Sequence, residues 1–305
     1  MDEQQVEPRI RGRGHALPFS KGRMATTLYL SGIEAEHAYE LALEIDRAVH
    51  EEGASEISLD RLHGLVEEVL GRLEGRDAVL RYRAWQQVLH LERPLVLLLG
   101  GATGTGKSSL ATELAYRLGI SRITSTDVVR QVMRAFFAPA LMPTLHTSSF
   151  EAGEVLRRAV QPDDERERAL VGFIQQADQV AVGAAAVVDR AVVEGLSTVI
   201  EGVHLVPGLV SPEPVPGAVL VQVLLTIPDE DAHRAHFVSR DRTSGSERAL
   251  ERYLTRFEDI RRVQDYLIAR AERAGVPVVD ATDADRALRA VLDLILEQAT
   301  RPADE

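Results

Sequence analysis

The chain has 305 residues, 45% hydrophobic and 27% charged, which is the composition of one large or two moderate globular domains. It contains no cysteine, so disulfides, thiolate metal sites and cysteine nucleophiles are excluded, and its net charge of −12 argues against a nucleic-acid partner, whose phosphates want a basic face. Met1–Pro8 is acidic and polar with no apolar segment behind it, and no apolar run reaches membrane-spanning length, so a soluble, cytoplasmic protein with no membrane partner is expected.

Residues 1–90 read as a small, mostly helical module. A strand or hairpin is expected within Val6–Phe19, then helices over Lys21–Ser31, Ala35–Glu52, Ser58–Leu73 and Asp77–His90. The third has the clearest pattern, an apolar stripe of Leu62, Leu65, Val66, Val69 and Leu70 behind a Ser58 cap. Arg93-Pro94 ends the helical run, and residues 91–305 follow a different pattern. The run Leu95–Leu99 reads as a strand buried on both faces of a parallel sheet. Further strands are expected at Ser121–Ser125, Thr198–Glu201, Ala218–Ile227 and Val276–Asp280. The helices between and after them are Lys107–Leu118, Asp127–Phe137, Phe150–Val160, Glu165–Glu194, Glu230–Arg240, Glu247–Ala274 and Asp283–Gln298. Strands alternating with helices predict an α/β three-layer fold around a parallel five-stranded sheet.

Gly101-Ala102-Thr103-Gly104-Thr105-Gly106-Lys107-Ser108 fits GxxxxGK[ST], and it stands after the buried strand and before an amphipathic helix that Gly119 closes. Glycines at this spacing let successive backbone N–H groups, through Ser109, face one anion at the positive end of a helix. Lys107 is then expected to reach the β- and γ-phosphates of ATP, with the Ser108 hydroxyl on Mg²⁺. Lys21 and Lys107 are the only lysines, so a chain built on arginine keeps one lysine in this loop. The chain has no asparagine, which removes the Asn-Lys-x-Asp guanine reader of a GTPase. Thr198-Val-Ile-Glu201-Gly202 ends in a lone acidic residue, the form suited to small-molecule kinases, in which Glu201 holds a water on Mg²⁺ or orients the nucleophile.

Ser125-Thr126-Asp127 leads into the next helix, with Thr126 as its expected cap and Asp127, Arg130 and Arg134 sharing a face. Asp127 can take the proton of an attacking hydroxyl while the two arginines bind an anionic acceptor; a charged helix start with internal Asp–Arg pairs is the plainer alternative. Thr144-Leu-His146-Thr147-Ser148-Ser-Phe-Glu151 supports two readings: a helix N-terminus offered to the acceptor, or a Ser148–Glu151 capping box with a packed loop histidine. Arginines from Arg234 to Arg256 populate an expected lid around Thr243–Ser246, with Arg240 and Arg242 in its loop as candidates to cover the transferring phosphoryl group. Asp280–Asp283, after the last strand, is where adenine is expected to rest on backbone groups.

Together these segments resemble the 2-phosphoglycerate kinases: GGATGTGKSS with LATELAYRLGI, then ITSTDVVRQVMR, LMPTLHTSSFEAG, VIEGVHLVPG and RFEDIRRVQDYL, in order along nearly the whole chain. The resemblance implies transfer of the ATP γ-phosphoryl group to the 3-hydroxyl of 2-phosphoglycerate, giving 2,3-bisphosphoglycerate. It further implies that residues 6–90 are similar to an ATP-cone module, a likeness carried by Pro18–Arg23 and Arg81–Trp85. Kinases of another phosphorylated polyol or inositol, and a nucleotide-sensing regulator, remain alternatives, and assembly as a homo-oligomer is left open.

Overall fold

The computed structural model describes residues 8–12, 15–156, 162, 164–210, 217–244 and 247–301. They divide into two compact units, with the boundary between Leu91 and Glu92.

In the first unit β1 (Arg9–Arg11) pairs antiparallel with β2 (Ala16–Pro18) and parallel with β3 (Glu56–Ser58). Four helices complete it: α1 (Lys21–Leu30), α2 (Ala35–Glu51), α3 (Leu59–Leu73) and α4 (Arg76–Leu89). The Ser58 side chain caps α3 by accepting from the Arg61 N–H at 3.1 Å, and the stripe from Leu62 to Leu70 is buried. Strand β3 has no sequence signature, because three residues are too few to show alternation. Tyr82 and Trp85 are buried in α4, and the Tyr82 hydroxyl is hydrogen-bonded to His63 Nδ1 at 2.6 Å. Burial pushes the His63 pKa down. A cavity of about 730 Å³ lies beside this pair, between the end of β1, the start of α3 and α4.

In the second unit β4 (Leu95–Gly101), β5 (Ile123–Ser125), β6 (Thr198–Gly202), β7 (Val219–Thr226) and β8 (Val278–Asp280) form one parallel sheet in the order β5-β6-β4-β7-β8. Every residue of β4 and β6 is buried, which accounts for the unbroken apolar run of β4. The helices are α5 (Lys107–Arg117), α6 (Thr126–Phe136), α7 (Glu165–Glu194), α8 (Glu230–Ser244), α9 (Glu247–Thr255), α10 (Phe257–Ala274) and α11 (Ala284–Thr300). Among the described residues α7 alone is long and apolar enough to cross a membrane by length and composition. Its inward face, Ala181, Ala184, Val188 and Ala191, packs on Val96, Leu98 and Ile200 of the sheet, as a core helix does. Further along, Phe173 and Ala177 meet Val263 and Leu267 of α10.

Four local expectations are corrected. Ser125, rather than Thr126, caps α6, its Oγ accepting from the Val128 N–H at 3.1 Å; Thr126 is already helical and its hydroxyl serves elsewhere. The expected helix Phe150–Val160 does not begin at Phe150: Ala152–Val155 makes a single 3-10 turn, and residues 157–160 lie outside the described residues. That turn lies backbone to backbone against α7, where a Cβ on Gly153 or Gly172 would overlap main-chain atoms of the other segment. A short 3-10 turn at Pro143–His146 precedes it. Glu247–Ala274 breaks at Arg256, where the chain turns to bury Phe257 among Ala102, Phe150, Phe237 and Ile260, a tertiary cause that leaves no Pro or Gly to read. Arg240 and Arg242 sit within α8 and not in a loop, because no helix breaker precedes Gly245; their side chains, and residues 245–246, lie outside the described part.

Candidate active site

Strand register decides what converges. In the parallel pairings Gly202 lies opposite Gly100, while Glu201 lies opposite both Leu99 and Ser125. The carboxyl ends of β4, β6 and β5 are therefore level, and the nucleotide loop, Glu201 and the start of α6 leave the sheet side by side. In open α/β sheets this edge is the ligand crevice.

Gly101 to Gly106 carries the chain from β4 into α5, with Gly106 in the left-handed region ahead of Lys107. Thr105 Oγ1 donates to the Ala102 carbonyl at 3.0 Å, and the buried Lys107 ammonium donates to the same oxygen at 2.6 Å. The lysine thus holds its charge across its own loop, beside the N–H groups of the first turn of α5, which have no partner within the helix. The outer side of the loop is wedged by α8. His233 Nε2–H donates to the Thr103 carbonyl at 2.8 Å, and Phe237 stacks on His233 with ring centroids 5.4 Å apart. Gly104, at φ +90°, faces the Phe237 ring so closely that an added Cβ would stand 2.5 Å from Cζ. His233 Nδ1 is buried without a hydrogen-bond partner among the described residues, and burial brings the ring pKa down to about 4.

The Ser108 hydroxyl donates to Glu201 Oε1 at 3.1 Å, and Glu201 is buried at the end of its strand. One hydroxyl and one carboxylate are a donor set that fits Mg²⁺, which keeps several waters and takes its remaining oxygens from phosphates. Among the described residues no group of three or more His, Asp or Glu side chains forms a cage for any other ion.

At the neighbouring strand end Asp127 is exposed in the first turn of α6, and its Oδ1 accepts from Arg130 Nε at 3.3 Å. Arg130 is nearly buried, with Nη1 donating at 2.9 Å to the carbonyls of both Leu145 and Thr147. It therefore shapes the Leu145–Thr147 loop from within. Arg134 is exposed one turn further on, 3.3 Å from Gln131 Oε1. His146 donates Nε2–H to the Phe137 carbonyl at 2.8 Å, and the Thr147 hydroxyl donates to the Thr144 carbonyl at 3.1 Å. Ser148 and Glu151 do not form a capping box. Arg252 of α9 claims both, through Nη2 to Ser148 Oγ at 2.8 Å and Nε to Glu151 Oε1 at 2.6 Å. The guanidinium holds the Glu151 pKa below the ordinary carboxylate value. Arg256 is paired in the same way with Glu154.

Several residues here are invisible to motif reading. Thr126, His204, Gln176 and Thr144 are fully buried and hydrogen-bonded to one another beneath the crevice. A usable signal exists for Gln176, a lone amide in the apolar stripe Phe173, Ala177, Val180 of α7. Arg252 had none, since every neighbouring basic residue is also arginine.

The chain is 37% identical over 289 residues to the 2-phosphoglycerate kinase of Methanopyrus kandleri, covering 94% of this chain and 86% of that protein. It is 35% identical over 296 residues to that of Methanothermobacter thermautotrophicus, covering 97% and 94% of the two chains. Against that of Methanocaldococcus jannaschii the identity is 37% over 289 residues, with 95% and 91% covered. No family model matches. Among solved structures, a gluconokinase from Sinorhizobium meliloti aligns with a TM-score of 0.33 at 18% identity, over 68% of this chain and 91% of the other.

Proposed function

This chain belongs to the 2-phosphoglycerate kinase family, and from that premise we propose that it transfers the γ-phosphoryl group of Mg-ATP to the 3-hydroxyl of 2-phosphoglycerate. The O–P bond to the β-phosphate breaks, a bond from the 3-oxygen to phosphorus forms, and the hydroxyl proton leaves; the products are ADP and 2,3-bisphosphoglycerate. The observation that carries the reading is the Ser108–Glu201 hydrogen bond at the shared carboxyl edge of β4, β6 and β5, which sets the donor loop beside the helix that bears Asp127.

In this reading Gly101 to Ser109 hold the triphosphate through backbone N–H groups, and Lys107 swings from the Ala102 carbonyl to the β- and γ-oxygens. Ser108 and Glu201 hold Mg²⁺, directly or through water. When bound, the ion neutralises charge on the phosphates. Asp127, exposed and next to Arg130, takes or orients the acceptor proton. The substrate carries a phosphate and a carboxylate; Arg134 and the Thr147–Ser148 backbone receive them, with Arg130 and His146 fixing the loop that does so. Arg240 and Arg242 on α8 serve as lid cations for the transferring group. Residues 1–90 are read as a separate ATP-cone-like module.

The test is an ADP-release assay with and without 2-phosphoglycerate, run beside Lys107→Ala. Acceptor-dependent turnover that falls at least about 100-fold in the variant, with circular dichroism unchanged, is expected. Near-normal turnover of Lys107→Ala would sink the assignment of the loop.

A further inference from the structure

The buried polar chain beneath the crevice takes no part in the steps above, yet it joins the start of α6, the segment after β6, the middle of α7 and the Thr144–Thr147 loop. Thr126 opens α6 immediately before Asp127. His204 lies three residues beyond Glu201, and Gln176 projects from the middle of α7. Thr144 and Thr147 belong to the acceptor loop, whose other side is pinned by Arg130. No side-chain exposure remains at Thr126, Gln176 or His204, each at 0%.

The direction of every hydrogen bond in this chain is fixed by its far end. The carbonyls of Thr144 and Thr147 can only accept, and both receive Gln176 Nε2–H, the second at 3.2 Å. That turns Gln176 Oε1 towards His204 Nε2, 2.9 Å away, and an amide oxygen also only accepts, so Nε2 carries the hydrogen. In the neutral ring Nδ1 is then the acceptor, and Thr126 Oγ1–H donates to it at 2.9 Å. Gly202 is part of the fit: its φ of +148° and its lack of a Cβ leave the space that the Thr126 hydroxyl fills. A second proton on the ring would place a donor at Nδ1 and reverse the bond to Thr126. Burial, with the charges of Arg130 and Lys107, opposes that protonation, while Asp127 favours it.

Resting on the proposed kinase reading, we infer that His204 is a positioning residue for phosphoryl transfer. It locks the helix start that bears Asp127 to the acceptor loop through one hydrogen bond on each side of its ring. In a dry interior each unpaired end costs its full desolvation, so the relay has one satisfied arrangement and the two halves of the acceptor site move together. A misplacement of about 1 Å between acceptor hydroxyl and donor phosphorus is enough to cost on the order of 100-fold in rate.

The experiment uses the full chain with Thr126→Val and Thr126→Ser, and with His204→Leu and His204→Asn. Wild-type turnover with 2-phosphoglycerate is read first and judges the proposed reaction alone. The inference is then read from variants against wild type, on whichever acceptor the wild type phosphorylates. Thr126→Val, which keeps the side-chain shape, is expected to lower kcat by about 10- to 100-fold and raise the acceptor KM, with the ATP KM within about two-fold. Thr126→Ser, which keeps the hydroxyl, is expected to restore most of the loss. His204→Leu behaves as Thr126→Val, and His204→Asn, which keeps an acceptor for Thr126, falls between.

Hydrogen exchange gives a readout that needs no acceptor. Amides of Leu145–Ser148 should exchange faster in Thr126→Val, while those of Gly101–Ser109 stay unchanged. The inference is overturned if folded Thr126→Val has wild-type kcat and acceptor KM, or if Leu145–Ser148 exchange is unaltered. A loss shared equally between ATP and acceptor constants also overturns it, since that marks a merely structural role.

Discussion

Acidification should destabilise the second unit well before its carboxylates titrate. His204 and His233 are both fully buried there, and burial brings each folded pKa down to about 4. In an unfolded chain a histidine titrates near 6.5. Between these values the unfolded state binds the extra proton and the folded state does not, so stability rises with pH across the window and is lost as pH falls through it. Each group contributes a slope that grows to about 1.4 kcal/mol per pH unit below pH 6.5, so moving from pH 6.5 to pH 5 across two histidines removes roughly 3 kcal/mol. That is a large part of the stability of an ordinary domain, about 5–15 kcal/mol. His37 in the first unit works in the opposite sense, since its hydrogen bonds to Glu74 and Glu40 raise its pKa, but it is exposed and its effect is small. The only tryptophan, Trp85, is also in the first unit, so its fluorescence follows that unit, while hydrogen exchange of β4, β6 and α7 amides follows the second. Urea unfolding at fixed ionic strength from pH 7.5 to 4.5 should show the second unit losing stability below pH 6.5, with a shallower slope in His204→Asn. A second unit equally stable at pH 7 and pH 5 would refute the neutral assignment of both rings.

Three further outcomes are expected. Glu201→Gln keeps an acceptor for the Ser108 hydroxyl but loses the charge, so the Mg²⁺ concentration giving half-maximal activity should rise at least about 10-fold, read in a Mg²⁺ titration of ADP release. Gly104→Ala forces a Cβ onto Phe237 at a backbone angle that side chains avoid; about 2–4 kcal/mol of stability should be lost in thermal melts, and ATP affinity should fall in calorimetry. Arg252→Ala severs exposed pairs with Glu151 and Ser148, so melts should shift by under about 1 kcal/mol, while the acceptor KM rises and the ATP KM does not.

Much of this protein can be read from its residues because local and tertiary signals agree. The buried runs of β4 and β6, the Ser58 cap and the glycine spacing before Lys107 each have one physical solution, and the structure adopts it. Register then brings Ser108 to Glu201, two residues 93 apart in sequence. Where the expected helix from Phe150 and the expected capping box fail, tertiary contact is the cause. The helix expected from Phe150 yields to backbone packing at Gly153 and Gly172, and the capping pair Ser148 and Glu151 yields to Arg252 from a distant helix. Thr126 looks like a cap because threonine suits that place, but Ser125 precedes it and a buried histidine takes the threonine hydroxyl. His204 follows the acidic strand end in sequence, yet nothing local shows that it faces inward. That takes Gln176, on another element, to reveal.

The measurement that bears most directly on the central claim is phosphorus NMR of a reaction holding the protein, Mg-ATP and one acceptor at a time: 2-phosphoglycerate, 3-phosphoglycerate or inositol. The account predicts ADP and 2,3-bisphosphoglycerate in equal amounts from 2-phosphoglycerate, with little turnover of the other two. Preferential phosphorylation of inositol or 3-phosphoglycerate, or ATP consumption with no new phosphate ester, would contradict it.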